Sequence, residues 1–320
     1  MPENGAQVSI LIVSYNTRDL TAACIASVLA FAPPGGQEVI VVDNASSDGS
    51  ADAIARRFPD VRLIRSAENI GFARANNLAA RQAAGGYLLL LNPDTIVLDD
   101  AVSKLMAFAR SNPRSGMWGG RTLYADGSLN PYSCWRFMSL WSLFTAAMGL
   151  SSLFSGSDLF NREAYATWKR DCVRPVDIIV GCFLLIERRL WDRLQGFDGR
   201  FFMYAEEADL CYRAIRLGAV PLFTPDASIF HLEGASDTVR AEKLCRLYTG
   251  KCTFIRKHWT KTRASAGIGL LKLTPLIRIC AYAVYAAVTG NKRHRQAAGE
   301  WRRVWSARDT WERGYPADSI

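Results

Sequence analysis

The first 125 residues alternate between short apolar runs and mixed segments with helical spacing. The apolar runs are 8–15, 37–44, 61–66 and 87–94, and the mixed segments between them are 20–31, 49–58 and 71–84. Continuous apolar runs of this length are typical of strands that are buried on both faces. Strand and helix in alternation predict an α/β fold with a mostly parallel, doubly wound sheet.

Each predicted strand ends in a polar segment, which matters because ligands bind beyond the carboxyl ends of the strands in such sheets. The segments read SYN (14–16), DNASSDGS (43–50), SAENIGFARANN (66–77) and NPDT (92–95). The first turn continues as SYNTRDL and contains no glycine. This argues against a dinucleotide-binding fingerprint and a Walker loop, and equally against the glycine-rich loop of a nucleotidyltransferase.

The run LLLLNPDT brings a carboxylate, Asp94, to the predicted end of a buried strand. Asn-Pro-Asp is also ordinary turn chemistry, so Asp94 alone could be a turn residue. Further along, AEEADL supplies Glu206, Glu207 and Asp209, and His231 follows another apolar run. A carboxylate and a histidine from separate strand ends can share a divalent cation, with Mg²⁺ or Mn²⁺ favoured by oxygen ligands.

The middle of the chain predicts further elements with a less regular pattern. Residues 135–154 are aromatic and apolar and carry no charge after Arg136, which fits a buried helical insertion or a membrane-facing lid. Residues 176–187 predict one strand, and residues 201–218 predict a loop that feeds a helix.

Charge is concentrated near the C-terminus. The net charge is +9, and residues 240–303 hold fifteen Lys and Arg against two acidic residues. These charges are interleaved with apolar stretches and tryptophans, which suits an anionic membrane surface better than nucleic acid. The N-terminal residues lack the features of a signal peptide, and the eight scattered cysteines predict reduced thiols. We therefore expect a cytoplasmic protein.

Residues 264–290 are nearly long enough and apolar enough to cross a bilayer. Lys272, Pro275 and Arg278 interrupt them, and charges at a bilayer centre are costly. Lying in the membrane interface is therefore favoured over spanning it. A basic amphipathic helix that packs on the rest of the protein is the alternative.

Six blocks, in order and with their spacing kept, resemble the family 2 glycosyltransferases, and within them the rhamnosyltransferase-like enzymes. The blocks lie between residues 7 and 236 and read VSILIVSYNTRDL, VIVVDNASSDGS, ENIGFARANN, LLLLNPDT, GCFLLIERRLW and GFDGRFFMYAEEADLCYR. The resemblance implies a GT-A fold, a nucleotide-diphosphate sugar donor, a divalent metal (Mn²⁺ or Mg²⁺) and inversion at the anomeric carbon.

The resemblance also implies roles for the first blocks. Ser14 and Tyr15 would line the base and ribose, and Asp43 would accept a hydrogen bond from N3–H of a uracil or thymine. The third block would border the nucleotide and diphosphate, although its polar residues could equally cap a helix. Its members are Asn69, Gly71, Arg74 and Asn76.

The family's metal motif is Asp-x-Asp, which here reads Asn92-Pro93-Asp94. Asparagine carries no charge, so Asn92 would contact the ribose or a water of the metal shell. Asp94 would then be the main ligand, and His231 matches a position that completes the shell in some members.

An inverting transfer needs one base on the acceptor side, and the family's base lies in Glu-Asp-x-Asp. Here Glu206-Glu207-Ala208-Asp209 stands in its place, with Glu207 at the usual base position and Glu206 as the alternative. Asp209 would lie in the acceptor region but could simply pair with Arg213. Asp177 and Gly181 would border the acceptor.

Together these features predict an inverting glycosyltransferase, with L-rhamnose from dTDP-L-rhamnose as the preferred sugar and a lipid-linked glycan as the acceptor. A UDP-sugar-dependent transferase and a non-catalytic nucleotide-binding membrane-surface protein are the alternatives. We expect a nucleotide-sugar half (1–125), an acceptor and catalytic half (126–236) and a helical extension (237–320) that associates with the inner face of the plasma membrane. No nucleic acid partner is expected.

Overall fold

The computed structural model describes residues 7–232 and 240–316. The strands are β1 (Val8–Ser14), β2 (Gln37–Asp43), β3 (Arg62–Arg65), β4 (Tyr87–Leu91), β5 (Thr95–Val97), β6 (Met117–Leu123), β7 (Leu129–Asn130), β8 (Cys134–Trp135), β9 (Arg174–Pro175), β10 (Ile178–Ile179), β11 (Phe183–Glu187) and β12 (Leu222–His231). The helices are α1 (Arg18–Leu29), α2 (Ser50–Arg57), α3 (Gly71–Gln82), α4 (Ala101–Ser111), α5 (Leu140–Ala147), α6 (Leu150–Leu153), α7 (Arg188–Leu194), α8 (Glu206–Arg216), α9 (Arg240–His258), α10 (Lys261–Thr289), α11 (Lys292–Ser306) and α12 (Arg308–Trp311).

The main sheet has the strand order β3-β2-β1-β4-β11-β6-β12-β5. Its first four strands are parallel, as the alternation of apolar and helical segments predicts. β11 runs antiparallel to β4 and β6, and β12 is parallel to β6 but antiparallel to β5. The predicted α/β fold is therefore confirmed, with a mixed second half that the sequence pattern does not reveal.

One predicted strand is wrong. Residues 176–187 form two strands, because the chain leaves the small β10–β8 sheet and joins the main sheet only at β11. Backbone hydrogen bonds anchor the break on both sides: Val180 N donates to Ser133 O (3.1 Å), and Cys182 O accepts from Asn92 N (3.3 Å).

Contacts divide the chain into two compact units. The first contains the main sheet and comprises the chain up to Trp135, Trp168–Phe202 and the segment that begins at Glu206. Its core is formed by the buried faces of the strands against α1 and α4, with side chains such as Ile10, Ile25, Leu89 and Leu105. The predicted division at residues 125 and 236 stays a prediction.

The second unit is helical and contains Arg136–Thr167, Met203–Ala205 and the helices from α9 onward. Its core holds large side chains from α9, α10, α11 and α12, among them Tyr248, Ile268, Trp301 and Trp311. Residues 264–290 form most of α10, which ends where Gly290 adopts a left-handed conformation (φ +65°). Among the described residues, α10 is the one helix with the length and composition that a membrane span requires.

Candidate active site

The parallel strands bring their polar ends to one side of the first unit. Ser14 pairs with Asp43 across β1 and β2, and Ile12 pairs with Leu91 across β1 and β4. Ser14 lies two residues after Ile12, and Asn92 directly follows Leu91. The Asn92–Asp94 turn therefore begins at the same level of the sheet as Ser14. We call this side, with Ser14, Asp43 and Asn92–Asp94, the carboxyl edge.

Asp43 has a half-satisfied carboxylate at the carboxyl edge. The residue is 4% exposed, and its Oδ2 accepts a hydrogen bond from Ser46 N (3.1 Å). Its Oδ1 is buried and has no hydrogen-bond partner among the described residues. A buried acceptor left open is costly unless a ligand donates to it. An imide N–H, such as N3–H of uracil or thymine, is a suitable donor.

Ser14 and Tyr15 differ in how far a ligand can reach them. The Ser14 side chain is fully buried, and its hydroxyl lies 2.9 Å from Thr21 Oγ1 and 3.3 Å from Thr17 Oγ1. It therefore joins the end of β1 to the start of α1. The Tyr15 ring is 43% exposed and free to pack on a flat ligand. Both predicted contacts with base and ribose stay predictions.

Asn44 is a residue of this edge that the sequence interpretation missed. Its Nδ2 donates to Asn69 Oδ1 (2.9 Å), and its Oδ1 accepts from Ile70 N (3.0 Å). Asn69 Oδ1 also accepts from Gly71 N (3.0 Å), so the two asparagines together fix the start of α3. Its place directly after Asp43, at the end of a predicted strand, was the available signal, but its partners are distant in sequence.

Gly71 is required by its conformation and by a close neighbour. Its φ is +80°, and a Cβ there would lie 2.4 Å from Phe202 O. Phe72 N donates to that same carbonyl at 2.8 Å. The left-handed conformation and the close approach of the loop before α8 thus explain why glycine stands at this position.

Arg74 and Asn76 each donate one side-chain hydrogen bond to a backbone carbonyl and leave another polar atom without a partner among the described residues. Arg74 Nε donates to Gly199 O (2.8 Å), and Asn76 Nδ2 donates to Phe72 O (2.9 Å). Arg74 Nη2 and Asn76 Oδ1 are buried without a hydrogen-bond partner among the described residues. Asn77, by contrast, is bonded to Phe197 through both ends of its amide, which supports a structural role. Contacts of Asn69, Gly71, Arg74 and Asn76 with a nucleotide stay predictions.

Asp94 and His231 meet at the carboxyl edge, as the predicted metal pair requires. The pairing of β5 with β12 sets Thr95 opposite His231, and Leu232 N donates to Asp94 O (2.9 Å). Asp94 Oδ1 lies 3.4 Å from His231 Nε2, and both side chains are mostly buried. Asn92 Nδ2 lies 3.5 Å from the same ring nitrogen.

This donor set fits a divalent cation that also binds a substrate. No cluster of three or more His, Cys, Asp or Glu side chains suited to a metal is found among residues 7–232 and 240–316. Mg²⁺ and Mn²⁺ at phosphate-transfer sites are commonly held by one or two protein side chains together with substrate phosphates. Asp94 and His231 can therefore supply the protein's share, with Mn²⁺ favoured by the imidazole.

Glu206 and Glu207 occupy the first turn of α8, and the pKa values of both carboxyls are raised. Glu206 is 5% exposed, and the Oε2 atoms of both residues are buried without a hydrogen-bond partner in the described chain. Burial raises the pKa of Glu206, and the neighbouring charge of Glu207 raises it further. Burial also raises the pKa of Glu207. Carboxyls with raised pKa values are suited to take up a proton near neutral pH.

Of the remaining predicted acceptor residues, Asp209 is bonded to the scaffold. Asp209 is fully buried and its Oδ2 accepts from Arg213 Nε (2.7 Å), which confirms the predicted pair. Arg213 also donates to Leu194 O and Gly196 O, at 2.7 and 2.9 Å. Asp177 lies just before β10 and Gly181 just before β11, where a Cβ would meet the Phe72 ring at 3.3 Å. Their roles towards an acceptor stay predictions.

Comparison with known proteins assigns the chain to a family. The model of glycosyl transferase family 2 matches residues 9–173, which is half of the chain. The chain is 28% identical over 244 residues to N-acetylglucosaminyl-diphospho-decaprenol L-rhamnosyltransferase of Mycobacterium tuberculosis, covering 69% of this chain and 75% of the relative. It is 27% identical to the rhamnosyltransferase WbbL of Escherichia coli, covering 68% of this chain and 81% of that one.

A solved structure has a similar fold. Mannosyltransferase PcManGT from Pyrobaculum calidifontis, in complex with GDP-Man and Mn²⁺, matches with a TM-score of 0.58. The match covers 97% of this chain and 88% of that one at 18% identity, so the likeness is one of fold. It confirms the predicted GT-A-like fold with additional C-terminal helices.

Proposed function

The chain belongs to glycosyl transferase family 2, and from this membership we propose that it is a metal-dependent, inverting transferase of surface polysaccharide synthesis. Its donor would be dTDP-L-rhamnose, and its acceptor a hydroxyl of a lipid-linked glycan. The observation that carries the proposal is the meeting of Asp94 with His231 at the carboxyl edge. When bound there, Mn²⁺ or Mg²⁺ supplies positive charge that neutralises the departing diphosphate.

Donor recognition would rest on the nucleotide side of the carboxyl edge. Asp43 Oδ1 would accept N3–H of the base, while the exposed Tyr15 ring packs against the base plane. Arg74 Nη2 is a buried cationic donor that suits a phosphate oxygen. Thymine and uracil offer the same N3–H, so the preference for dTDP-L-rhamnose is supported by the names of the two rhamnosyltransferase relatives. UDP sugars are the alternative donors.

The transfer itself would be a single displacement. An acceptor oxygen attacks the anomeric carbon, the bond from that carbon to the diphosphate oxygen breaks, and the electron pair leaves with the diphosphate. The hydroxyl proton passes to Glu207, with Glu206 as the alternative base. Burial and raised pKa values support either residue in this role, because a raised pKa makes a carboxylate a stronger base towards the acceptor proton.

The acceptor class is supported by the relative from Mycobacterium tuberculosis, whose name specifies a decaprenol-linked acceptor. A polyprenyl-diphosphate glycan would be presented at the cytoplasmic face of the plasma membrane. The apolar helix α10 and the basic residues around it support a location there. Peripheral binding would raise the effective concentration of enzyme near such acceptors.

A donor panel tests the proposed chemistry. The full chain with membrane extract is offered dTDP-L-rhamnose, UDP-galactose, UDP-N-acetylglucosamine and GDP-mannose, each with Mn²⁺, with Mg²⁺ and with a chelator. We expect transfer from dTDP-L-rhamnose that the chelator abolishes. Transfer from a GDP sugar alone would contradict the role of Asp43, and nucleotide binding without any transfer would favour a non-catalytic protein.

The metal assignment has its own test. Asp94→Ala should lower kcat by about 10²-fold or more and weaken the metal-dependent part of nucleotide binding measured by calorimetry. Asp60→Ala, which removes an exposed carboxylate from the same unit, is the matched control and should change neither quantity. Full activity and metal dependence in Asp94→Ala would overturn the assignment.

A further inference from the structure

Helix α10 has an inner face that is packed within the helical unit. Ala264, Ile268 and Leu271 are buried in a cluster with Tyr248, Trp301 and Trp311. Lys272 Nζ pairs with Glu312 Oε2 at 2.6 Å, and the Arg278 guanidinium donates to Ala146 O at 3.3 Å. The contacts of this inner face are sufficient to hold α10 in the helical unit.

A second apolar face follows the opposite side of the same helix. Its members recur every three or four residues and are exposed: Leu273, Leu276, Cys280, Val284 and Val288, which we call the outer stripe. Val284 is 61% and Val288 79% exposed, and no described residue covers them. At 1.5 Å per residue the stripe is about 22 Å long.

A helix that is apolar on both faces normally has both faces covered. Between Leu276 and Tyr285 the surface of α10 itself forms a shallow, open apolar depression. The neighbouring α5–α6 segment, which packs beside α10 through Leu143, adds more exposed apolar side chains. They are Trp141, Phe144, Met148, Leu153, Phe154 and Leu159. Exposed apolar side chains in such numbers mark an interaction site.

Charge around the outer stripe identifies what covers it. α10 contains no acidic residue, and exposed Lys261 and Arg263 stand at its start. Exposed Lys292, Arg293 and Arg295 follow directly after its end. An apolar stripe between two clusters of cations matches the apolar interior and anionic headgroups of a bilayer surface.

We propose that the outer stripe is the membrane-binding face of this protein, and that α10 lies parallel to an anionic bilayer with this face in the boundary between headgroups and acyl chains. The physiological purpose of this contact rests on the proposed function, because it brings the enzyme to a lipid-linked acceptor. The contact itself can be measured without any transfer reaction.

The packing of the inner face favours lying on the bilayer over crossing it. A spanning α10 would carry α9 and α11 into the hydrocarbon, because Tyr248 and Trp301 are packed on its inner face. Exposed Arg302 and Arg303 on α11 would enter with them, and arginines in hydrocarbon are costly. A surface-bound helix leaves the inner core intact.

Vesicle flotation of the full chain tests the proposal. Wild-type protein should float with phosphatidylcholine vesicles that contain phosphatidylglycerol, and less with phosphatidylcholine alone or at high salt. The double variant Val284→Asp/Val288→Asp should lower the partition coefficient by about tenfold or more per valine, since each loses burial in the acyl boundary. Unchanged flotation of this variant would overturn the proposal.

A matched control separates the stripe from general apolar exposure. Leu29→Asp/Leu217→Asp replaces two leucines of the first unit that are 47% and 45% exposed, and it should float as wild type does. Equal loss of flotation in the control would contradict a specific face. Resistance of the wild type to alkaline carbonate extraction would contradict surface binding and favour spanning. Self-association through the stripe without vesicle binding, measured by sedimentation, would also overturn it.

The two proposals can fail separately. Val284→Asp/Val288→Asp should keep wild-type nucleotide binding by calorimetry, because the stripe lies outside the unit that holds the carboxyl edge. Loss of vesicle binding with nucleotide binding retained supports the membrane face whatever the donor panel shows. Vesicle binding that persists in the variant rejects the face while leaving glycosyl transfer untouched.

Discussion

Buried carboxylates fall into two groups that differ in what they bond. Asp209 is fully buried and paired with Arg213, whose other nitrogens hold the end of α7. Glu206 and Glu207, at the start of the same helix, have buried oxygens without a hydrogen-bond partner in the described chain. A paired carboxylate stabilises the fold, whereas an unpaired buried one costs stability and is available to a substrate. Within four residues, the contrast separates a scaffold carboxylate from the two carboxylates that we propose as candidate bases.

The largest expected effect tests the reactive side of this comparison. Glu207→Gln keeps shape but cannot take up a proton, so kcat should fall by about 10²- to 10⁴-fold. The kcat of the Glu206→Gln variant should fall much less. The measurement is turnover with saturating donor and metal, together with a thermal unfolding control. If Glu206→Gln were inactive and Glu207→Gln active, the base would be Glu206.

Removal of the Asp209 carboxylate should lower stability and leave activity nearly unchanged. Asp209→Ala leaves the partly exposed Arg213 guanidinium without its charge partner and a cavity where the buried carboxylate stood, so the free energy of unfolding should fall by about 3 kcal/mol. Activity per folded molecule should be nearly unchanged. Urea unfolding and turnover at low temperature measure the two quantities. Lost turnover with an unchanged midpoint would instead support a direct acceptor contact by Asp209.

Asp43 is intermediate, since one of its oxygens is bonded and the other is open. Asp43→Asn should raise the KM for the donor by about 10- to 100-fold, because a hydrogen bond to a charged acceptor is replaced by a neutral one. Asp52→Asn is the control, since its pair with Arg65 is exposed and contributes little. Equal KM values in both variants would remove Asp43 from base recognition.

The smallest effect concerns stability and its dependence on pH. The pKa of Glu206 is raised in the folded state, so the native protein loses stability relative to the unfolded chain as pH rises from the ordinary glutamate pKa to the raised one. Glu206→Gln should therefore increase the free energy of unfolding at neutral pH by about 1 kcal/mol. The gain in the free energy of unfolding should vanish as pH falls below the ordinary glutamate pKa, because Glu206 is then neutral in both the folded and the unfolded state. A gain independent of pH would point to a cause other than ionisation.

The parallel half of the fold was predictable because two independent signals agree there. Apolar runs mark β1, β2, β3 and β4, and polar turns mark their ends within a few residues. The second half was less accessible, because antiparallel insertion of β11 between β4 and β6 depends on contacts between distant segments. The break between β10 and β11 is a case in point, since Val180, Gly181 and Cys182 look like uninterrupted strand.

The candidate site shows the same limit. The carboxylates at the strand ends could be picked out from residue type and position, but the meeting of His231 with Asp94 depends on the register of β5 with β12. Residue types at the strand ends suggested a shared cation and the family resemblance pointed to Asp94 with His231, whereas periodicity alone could not show that they meet. Asn44 was missed because its two bonds go to residues 25 or more positions away.

Cys280 gives the outer stripe a chemical consequence. Among the described cysteines only Cys172 and Cys280 are exposed, and Cys280 lies in the middle of the stripe. A thiol buried among acyl chains is inaccessible to water-soluble oxidants and alkylating reagents. In addition, the reactive thiolate forms poorly in an apolar medium. The bilayer would thus shield Cys280 from such reagents, while Cys172 would still react. The redox state of Cys280 would then depend on whether the protein is bound to the membrane.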